Sequence, residues 1–307
     1  MAADRPALAA PRQHAAGAVR IGISGWRYAR WRGVFYPKGL AQSRELKYAS
    51  RTFSSIEING TFYRLQRPEL FDDWAAATPD DFVFALKGSR FITHMKRLKD
   101  PEPALARFFA SGPLQLGEKL GPIVWQLPPM FKFDAPRLEA FFKTLPRDTH
   151  AALALAGQAP AVRGRRFPVP RRVPLRPLRH AVEIRHESFR TPEFTHLLRS
   201  QHVALCCADT VEWPRLMDVT ADFIYCRLHG SKVLYASGYG EKALKTWARR
   251  VVAWARGGEP EDAERATDRP APKRKTRDVY VYFDNDAKVR APVDARRLAE
   301  LVGVELG

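Results

Sequence analysis

Eight short hydrophobic runs recur along the chain, and each ends at Gly, Pro or a polar residue. They are rich in Val, Ile, Phe and Tyr and have the length of buried strands. The runs cover residues 19–26, 55–60, 82–88, 122–127, 181–186, 203–209, 223–230 and 279–285. Because these runs are spread over almost the whole sequence, we interpret them as the strands of one large sheet.

Segments with helical periodicity lie between most of these runs. Behind Asp134, a typical N-cap, apolar residues recur at the i, i+3, i+4 and i+7 spacing of a helix face, and Thr191 and Gly240 precede similar patterns. Shorter helices are predicted near Ser43, Pro68 and Glu102, and a last one carries Leu298, Leu301 and Val302. Strand followed by helix, repeated about eight times, is typical of an α/β fold of the (β/α)8 TIM-barrel type.

One connection does not follow the repeat. Residues 210–222 show no amphipathic helix and are short for a parallel crossover, so we predict an irregular one there. The rival architecture, a doubly wound open sheet, is expected to carry a Gly-rich phosphate turn after its first strand. Gly22, Gly25 and Gly33 do not have that spacing. We therefore expect a single barrel domain over residues 19–307, behind a disordered tail at residues 1–18.

Composition supports an ordinary globular protein, with 45% hydrophobic and 27% charged residues. No stretch approaches the roughly 18 apolar residues of a membrane span, so we predict no membrane partner and a cytoplasmic location. The three cysteines (Cys206, Cys207 and Cys226) lie in apolar runs without a CxxC pair, which indicates buried, reduced thiols. These features favour no particular oligomeric state.

The formal charge of +18 is of the size seen in nucleic-acid binders, so its distribution matters. Seven arginines lie in residues 160–179, interleaved with prolines and without any acid, which predicts an irregular, mobile insertion. A second polar insertion, residues 257–278, mixes acids and bases. Both are either solvated loops or contacts for a polyanion such as RNA or DNA.

Charged residues interrupt the apolar runs at their C-terminal ends. Glu57 and Asn59 alternate with isoleucines and therefore share one face of their strand, and the same alternation pairs Glu183 with Arg185 and Arg227 with His229. Other candidates end the remaining strands: Trp26 (with Ser24), Lys87, Gln126, Asp209, Asp284 and Asn285, with Tyr63 just beyond the second strand. In a barrel these ends converge on one mouth, which predicts a site there.

The residue types at this mouth suggest its chemistry. Arg185 and Arg227 offer planar forks for phosphate or carboxylate, which makes them candidate anchors for an anionic ligand. Glu57 or Glu183 is then a candidate base and His229 an acid or base, with Lys87 and Asp209 as further catalytic candidates. We expect no cofactor, and a divalent metal is the alternative, since four carboxylates and a histidine could bind one, although the neighbouring cations would repel it.

Three functional hypotheses follow. The first is a metal-independent hydrolase, lyase or isomerase acting on a small anionic or sugar-like substrate. The second is an RNA- or DNA-associated protein in which the Arg-rich insertion binds phosphates and the mouth receives a nucleotide. The third is a divalent-metal-dependent isomerase or lyase of the sugar type.

Several ordered motifs resemble one known family, the domain of unknown function 72 family, also called YecE-like. They are Gly-Ile-Ser-Gly-Trp at 22–26, Glu-Ile-Asn-Gly-Thr-Phe-Tyr at 57–63, and Gln-Leu-Pro-Pro at 126–129, together with the segments 82–87, 92–94, 183–189, 225–230, 235–239 and 282–285. The resemblance runs from about Arg20 to Leu301. It implies a (β/α) barrel and adds His94, of the Ile-Thr-His motif, to the substrate-binding candidates.

The chain departs from the family pattern in two respects. Residues 160–179 and 257–278 are longer than usual, and Asp284 stands where the family tends to have Asn. The resemblance implies a fold and a site but no activity.

Overall fold

The structure, a computed structural model, describes residues 16–161 and 168–304. Its centre is eight parallel strands, each within about three residues of a predicted run. They are β1 (Val19–Ser24), β2 (Ser55–Ile58), β3 (Val83–Lys87), β4 (Leu120–Gln126), β5 (His180–Glu183), β6 (Ala204–Asp209), β7 (Phe223–Leu228) and β8 (Asp278–Phe283). Neighbours in sequence pair in the order β1 to β8, and β8 pairs with β1 to close the barrel. The predicted TIM-type barrel is confirmed.

Nine α-helices lie in the described part of the chain. They are α1 (Glu45–Ala49), α2 (Gly60–Tyr63), α3 (Pro68–Ala77), α4 (Glu102–Ala110), α5 (Ala135–Thr144), α6 (Thr149–Gly157), α7 (Pro192–Ser200), α8 (Glu241–Ala255) and α9 (Arg290–Val302). The predicted caps of α5 and α7 form, because the side chains of Asp134 and Thr191 accept hydrogen bonds from the amides of Arg137 and Phe194.

Helix α6 was not predicted. Residues 151–156 alternate Ala and Leu, so apolar side chains lie on every side of the helix and show no periodic face. Its start is nevertheless well defined, because the carboxylate of Asp148 accepts a hydrogen bond from the amide of Ala151 at 2.8 Å.

The crossover between β6 and β7 contains no helix, as predicted. It folds back against the barrel by burying Leu216, Met217 and Val219. Asp218 ties the crossover to the segment before β8 by accepting hydrogen bonds from the amides of Ala266 and Thr267. The polar insertion at 257–278, which supplies these amides, has no helix or strand before Asp278 but is tied to its neighbours.

The Arg-rich insertion leads into the N-terminal end of β5. Residues 162–167 of the predicted mobile loop, and residues 1–15 of the predicted tail, lie outside the described residues. The part from Pro174 to Leu178 is held in place instead of free: the hydroxyl of Thr149 donates to the carbonyl of Pro174, and the amide of Leu178 donates to the carbonyl of Arg147. This anchored part lies at the end of the barrel opposite to the mouth.

The core has two layers. An outer layer of apolar side chains joins the strands to the helices, and a smaller inner layer fills the barrel with Ala85, Val124, Cys206, Tyr225 and Tyr282. All three cysteines are buried and unpaired. The inner layer identifies which residues of each strand face inward, and therefore which strand ends reach the mouth.

Candidate active site

Arg227 lies at the centre of the mouth and is fully buried. Its Nε and Nη2 atoms lie 3.1 and 3.0 Å from the carboxylate of Glu57, its Nη1 lies 2.7 Å from Glu183, and its Nη2 also lies 2.8 Å from Asp284. One guanidinium thus joins carboxylates from β2, from β5 and from beyond β8. Because these contacts use all its nitrogen atoms, Arg227 organises the site and is not the free substrate anchor predicted from the sequence.

Glu57 is also bound by side chains from two other strands, β1 and β7. The register of β1 on β2 sets Ser24 opposite Glu57, and the two side chains hydrogen-bond. The phenol of Tyr225 donates to Glu57 at 2.6 Å, and Asn59 donates to the hydroxyl of Ser24 at 2.9 Å. Glu57 has no exposed surface, so its predicted role as a base that touches substrate does not fit its position.

Glu183 and Arg185 form a second pair at the edge of the first. The guanidinium of Arg185 lies 2.7 Å from Glu183 and donates to Gln126 at 2.8 Å. Its flat face stacks on the indole of Trp213 at 4.1 Å, and its Nη2 lies 3.4 Å from the phenol of Tyr235. Arg185 is therefore held rigidly, while 10% of its side chain stays exposed at the mouth.

Two carboxylates of the site, Glu183 and Asp284, are held in the ionised form by their neighbours. Burial raises the pKa of Glu183, but Arg185 and Arg227 outweigh burial and hold that pKa well below its usual range. The same balance, with Arg227 as the main partner, holds the pKa of Asp284 far below normal. Three carboxylates can be buried here because each forms an ion pair with Arg185 or Arg227.

Lys87, at the end of β3, differs from the other cations. Its residue is only 7% exposed, and its Nζ forms neither an ion pair nor a hydrogen bond with any described residue. The ammonium lies over the ring of Phe62, 4.5 Å from the ring centre. Burial, reinforced by the charge of Arg227, lowers the pKa of Lys87 to about 8.

The imidazole of His229 is also buried without hydrogen bonds to the residues that the structure describes. Its Nδ1 lies 3.1 Å from Asp284, but the ring N–H and the oxygen are not aligned as a hydrogen bond, and its Nε2 has no described partner. The ring packs edge-on against Trp213 and Tyr235. Burial lowers the pKa of His229, so the imidazole is neutral at pH 7.

His94, suggested by the family resemblance, lies near the mouth on the turn that follows β3. Its ring packs edge-on against Phe62, the residue that also lies under Lys87, and its Nδ1 is 2.9 Å from the hydroxyl of Thr93. Burial, together with the charges of Arg185 and Lys87, lowers the pKa of His94 to about 4. Tyr63 is 64% exposed, outside the enclosed group.

Three predicted site residues point away from the mouth. Asp209 is on the outer face of β6, where it accepts hydrogen bonds from Trp247 at 3.2 Å and Arg215 at 3.0 Å. The amide of Asn285 donates to Asp294 at 2.8 Å and to the carbonyl of Ser237. These two residues fix the surrounding loops and do not join the charged group at the mouth.

Trp26 is the third. Its alternation with Ser24 predicts that the two share a face, but Gly25 between them has a φ of +83° and ends the extended strand. The indole instead packs edge-on against Trp74, 5.4 Å away, in the outer core. A glycine after the last strand residue is the signal that the alternation stops.

Two residues at the mouth were not singled out by their sequence pattern. Trp213 lies on the irregular crossover, where no periodicity marks it. Asp286 follows β8, and burial together with the charge of Asp284 raises its pKa to about 6. A carboxyl group with this pKa can hold or release a proton near neutral pH.

The donor set does not match a metal centre. Arg227 occupies the space between the three carboxylates that a cation would have to share. Within residues 16–161 and 168–304, no group of three or more His, Cys, Asp or Glu side chains is arranged to hold a metal ion. No helix in those ranges is long and apolar enough to cross a membrane.

The closed parallel barrel, with its group of charged side chains at the C-terminal ends of the strands, places this protein in the class of (β/α)8 barrels. Within that class, the chain is a member of the family described as "Protein of unknown function DUF72", whose model matches residues 20–306. The resemblance seen in the motifs is thereby confirmed.

Relatives agree with this assignment. The UPF0759 protein YecE of Escherichia coli K12 is 30% identical over 129 residues, which are 42% of this chain and 44% of that protein, and the UPF0759 protein YunF of Bacillus subtilis is 26% identical over 118 residues, 37% and 41% of the two chains. The matched stretch thus spans less than half of either relative.

Solved structures match over more of the chain. A DUF72 family protein from Thermotoga maritima has a TM-score of 0.69 at 25% identity, covering 93% of this chain and 99% of its own. One from Enterococcus faecalis has a TM-score of 0.66 at 15% identity, covering 94% and 97%. These matches support the barrel fold.

Proposed function

We propose that this protein is a metal-independent enzyme of the hydrolase, lyase or isomerase kind, acting on a small anionic or sugar-like substrate at the mouth of the barrel. One observation carries the proposal: Lys87 is an almost buried amine with a lowered pKa and no partner, inside a group of otherwise paired charges. Burying an unpaired ammonium is costly, and such a cost is typical of functional sites.

The exposed edges of the site indicate what a ligand would meet. Side-chain surface remains on Arg185 (10%) and Asp284 (11%), while Lys87 as a residue is 7% exposed. A small molecule that enters therefore meets one guanidinium, one carboxylate and one amine. This combination suits a polar substrate that carries hydroxyl groups and one anionic group.

Lys87 is the best-placed proton acceptor of this group. With a pKa of about 8, a useful fraction of its side chain is the free amine near neutral pH, and general bases work best in that range. We assign the second proton to Asp286, which follows Asp284 by two residues and whose pKa is raised to about 6 by burial and by the charge of Asp284. In this proposal Glu57, Glu183 and Arg227 hold the geometry, and Arg185 binds the anionic group.

A ligand screen by thermal shift tests the proposal, using sugar phosphates and sugar acids. A hit should raise the melting temperature of the wild type and of Lys99→Met, a matched change at an exposed lysine. Arg185→Gln should lose most of the shift. Lys87→Met should still bind but turn the substrate over at least 100-fold more slowly, since general-base catalysis is worth about 10²–10⁴-fold.

Unchanged binding and turnover in both variants would overturn the proposal. If Arg185→Gln and Lys87→Met bind and turn over every hit as the wild type does, the mouth is not the site of reaction. The pH dependence gives a second check, because kcat/KM should rise with pH through a pKa near 8 and this limb should vanish in Lys87→Met.

The two other hypotheses remain predictions with tests of their own. Elemental analysis of purified protein, compared with Glu57→Gln, decides whether a divalent metal binds at the mouth. Affinity for RNA or DNA measured against salt, with residues 160–179 deleted, decides whether the Arg-rich insertion binds nucleic acid.

A further inference from the structure

A cavity of about 790 Å³ opens at the N-terminal face of the barrel. It is bounded by the start of β4 and by the segments that lead into β5, β6 and β7. The mouth lies at the other end of these strands, roughly 17 Å away if β7 rises about 3.3 Å per residue. The two sites therefore share no side chain.

The lining of this cavity is strongly basic. It contains one acid, Asp222, and five arginines, namely Arg147, Arg176, Arg179, Arg199 and Arg274. His202 adds a further nitrogen donor. The excess of positive charge here is local, whereas the charges at the mouth balance.

Within the described residues, most of these arginines form no ion pair, so their positive charge is not neutralised within the cavity. Arg179 is neutralised, since it lies 2.6 Å from Asp278 and 3.5 Å from Asp222. Arg147, Arg176 and Arg199 form no ion pair with a described acid. Their guanidinium groups donate to backbone carbonyls instead, those of Phe142 at 2.9 Å, Gly117 at 2.5 Å and Val219 at 3.1 Å.

These bonds orient the arginines without using them up. A guanidinium has five N–H donors. Arg147 and Arg176 each use one of them on a carbonyl, and Arg199 uses two, on the carbonyls of Val219 and Arg269, so each of the three keeps donors for a ligand. Arg176 and Arg199 are also partly buried, which makes their unpaired charge costly. Arg147 is more exposed as a residue, although desolvation of its guanidinium still lowers the pKa of Arg147. Fixed, partly desolvated guanidinium forks are the preferred recognition elements for phosphate and carboxylate groups.

We propose that the N-terminal cavity is a second binding site, for a compact anion with several phosphate-type groups, such as a triphosphate. The volume lies within the range of small-molecule sites, about 300–1,000 Å³. Three unneutralised arginines from separate segments match several negative charges better than one. A nucleic acid is the alternative ligand that the test must separate.

Isothermal titration with inorganic tripolyphosphate, in a buffer free of phosphate, tests the proposal. We expect saturable binding of one anion per chain to the wild type. The double variant Arg147→Gln/Arg199→Gln should bind at least tenfold more weakly. Arg44→Gln/Arg249→Gln, which removes the same charge from exposed positions away from the cavity, should stay within twofold of the wild type.

Further variants separate a loss of charge at the cavity from a loss of folding and from binding at the mouth. Arg147→Lys/Arg199→Lys keeps the charge, so binding that survives in it but not in the Gln pair shows that the variants fold and that charge at this place matters. Arg185→Gln, which removes the anion-binding guanidinium of the mouth, should bind tripolyphosphate like the wild type, which separates this site from the mouth. Melting temperatures of all variants, measured without ligand, check folding.

Three results would overturn the proposal: no saturable binding to the wild type, equal weakening in the Arg44/Arg249 control, or tight binding of a single-stranded RNA 12-mer that excess tripolyphosphate does not displace. The last result would assign the basic surface to nucleic acid. Displacement of RNA by tripolyphosphate, with 1:1 binding of the small anion, supports the cavity.

Discussion

The two ends of the barrel differ in how their charged side chains are paired. At the mouth, three carboxylates face three cations, and every one except Lys87 has an oppositely charged neighbour within ion-pair distance. At the N-terminal cavity, three arginines are held by backbone carbonyls and form no ion pair with a described acid. A balanced group resists change because each member stabilises the next, whereas an unbalanced one is available to bind an outside anion. The net charge of +18 therefore says little until it is divided between these regions.

Removing the central cation of the mouth should have the largest effect on stability. Arg227→Leu leaves Glu57, Glu183 and Asp284 buried without their shared partner, and breaking a buried ion pair in this way costs about 3–5 kcal/mol. Urea denaturation at pH 7 measures the loss. The control is Arg250→Leu, which leaves only the half-exposed Asp262 without its partner and should cost distinctly less. Equal losses in the two variants would contradict the central role of Arg227.

Lys87→Met should change stability in the opposite direction. The pKa of Lys87 falls from an unfolded value of about 10.4 to about 8, so the folded state binds its proton less well and pays a penalty of about 3 kcal/mol below pH 8. The variant should be more stable than the wild type at pH 7, and its advantage should shrink as the pH rises from 8 to 10.5. Denaturation curves over that range check the sign. An advantage that does not depend on pH would show that Lys87 titrates normally.

Acid should destabilise the mouth through its carboxylates. The pKa values of Glu183 and Asp284 are lowered in the folded state, so their stabilisation is present above the unfolded values near 4 and is lost as the pH falls below them. Asp284→Asn should remove part of this acid sensitivity at a cost of about 1–2 kcal/mol at pH 7. Thermal melts from pH 7 to pH 3 measure both. An unchanged acid profile in the variant would contradict the contribution of Asp284.

The smallest effect is expected at the N-terminal cavity. Arg199→Gln removes an unpaired charge, so the free energy of unfolding should change by less than about 1 kcal/mol. The informative measurement is the melting temperature with and without tripolyphosphate, which should rise less in the variant than in the wild type. If added anion stabilises both equally, the contrast between the two ends disappears.

Much of the fold was predictable because it depends on patterns within short segments. Eight apolar runs and the caps at Asp134 and Thr191 specify strands and helices locally, and α6 escaped because its Ala-Leu sequence has no polar face. The inward alternation of Glu57, Glu183 and Arg227 was predictable for the same reason. Asp209 failed because the inward residues of β6 are Ala204, Cys206 and Ala208, and a polar strand end alone does not reveal which face it occupies.

What could not be predicted depends on distances between segments far apart in sequence. A local sequence pattern does not show that all nitrogen atoms of the Arg227 guanidinium bind carboxylates, or that Lys87 forms no ion pair with any of those carboxylates. The N-terminal cavity likewise joins Arg147 and Arg176, which lie 29 residues apart in the connection between β4 and β5, to Arg199 of helix α7. The sequence shows that the insertion is rich in arginine, but it does not show which of these arginines form ion pairs in the folded protein.

The helix-free crossover between β6 and β7 has a consequence for how such a barrel can diversify. It lays a single indole, Trp213, against Arg185 at the entrance, whereas the paired charges below belong to the strands. Loops accept insertions and substitutions far more readily than packed strands do. Replacing this one connection would alter which molecules are admitted while leaving the eight-stranded frame and its internal charges untouched.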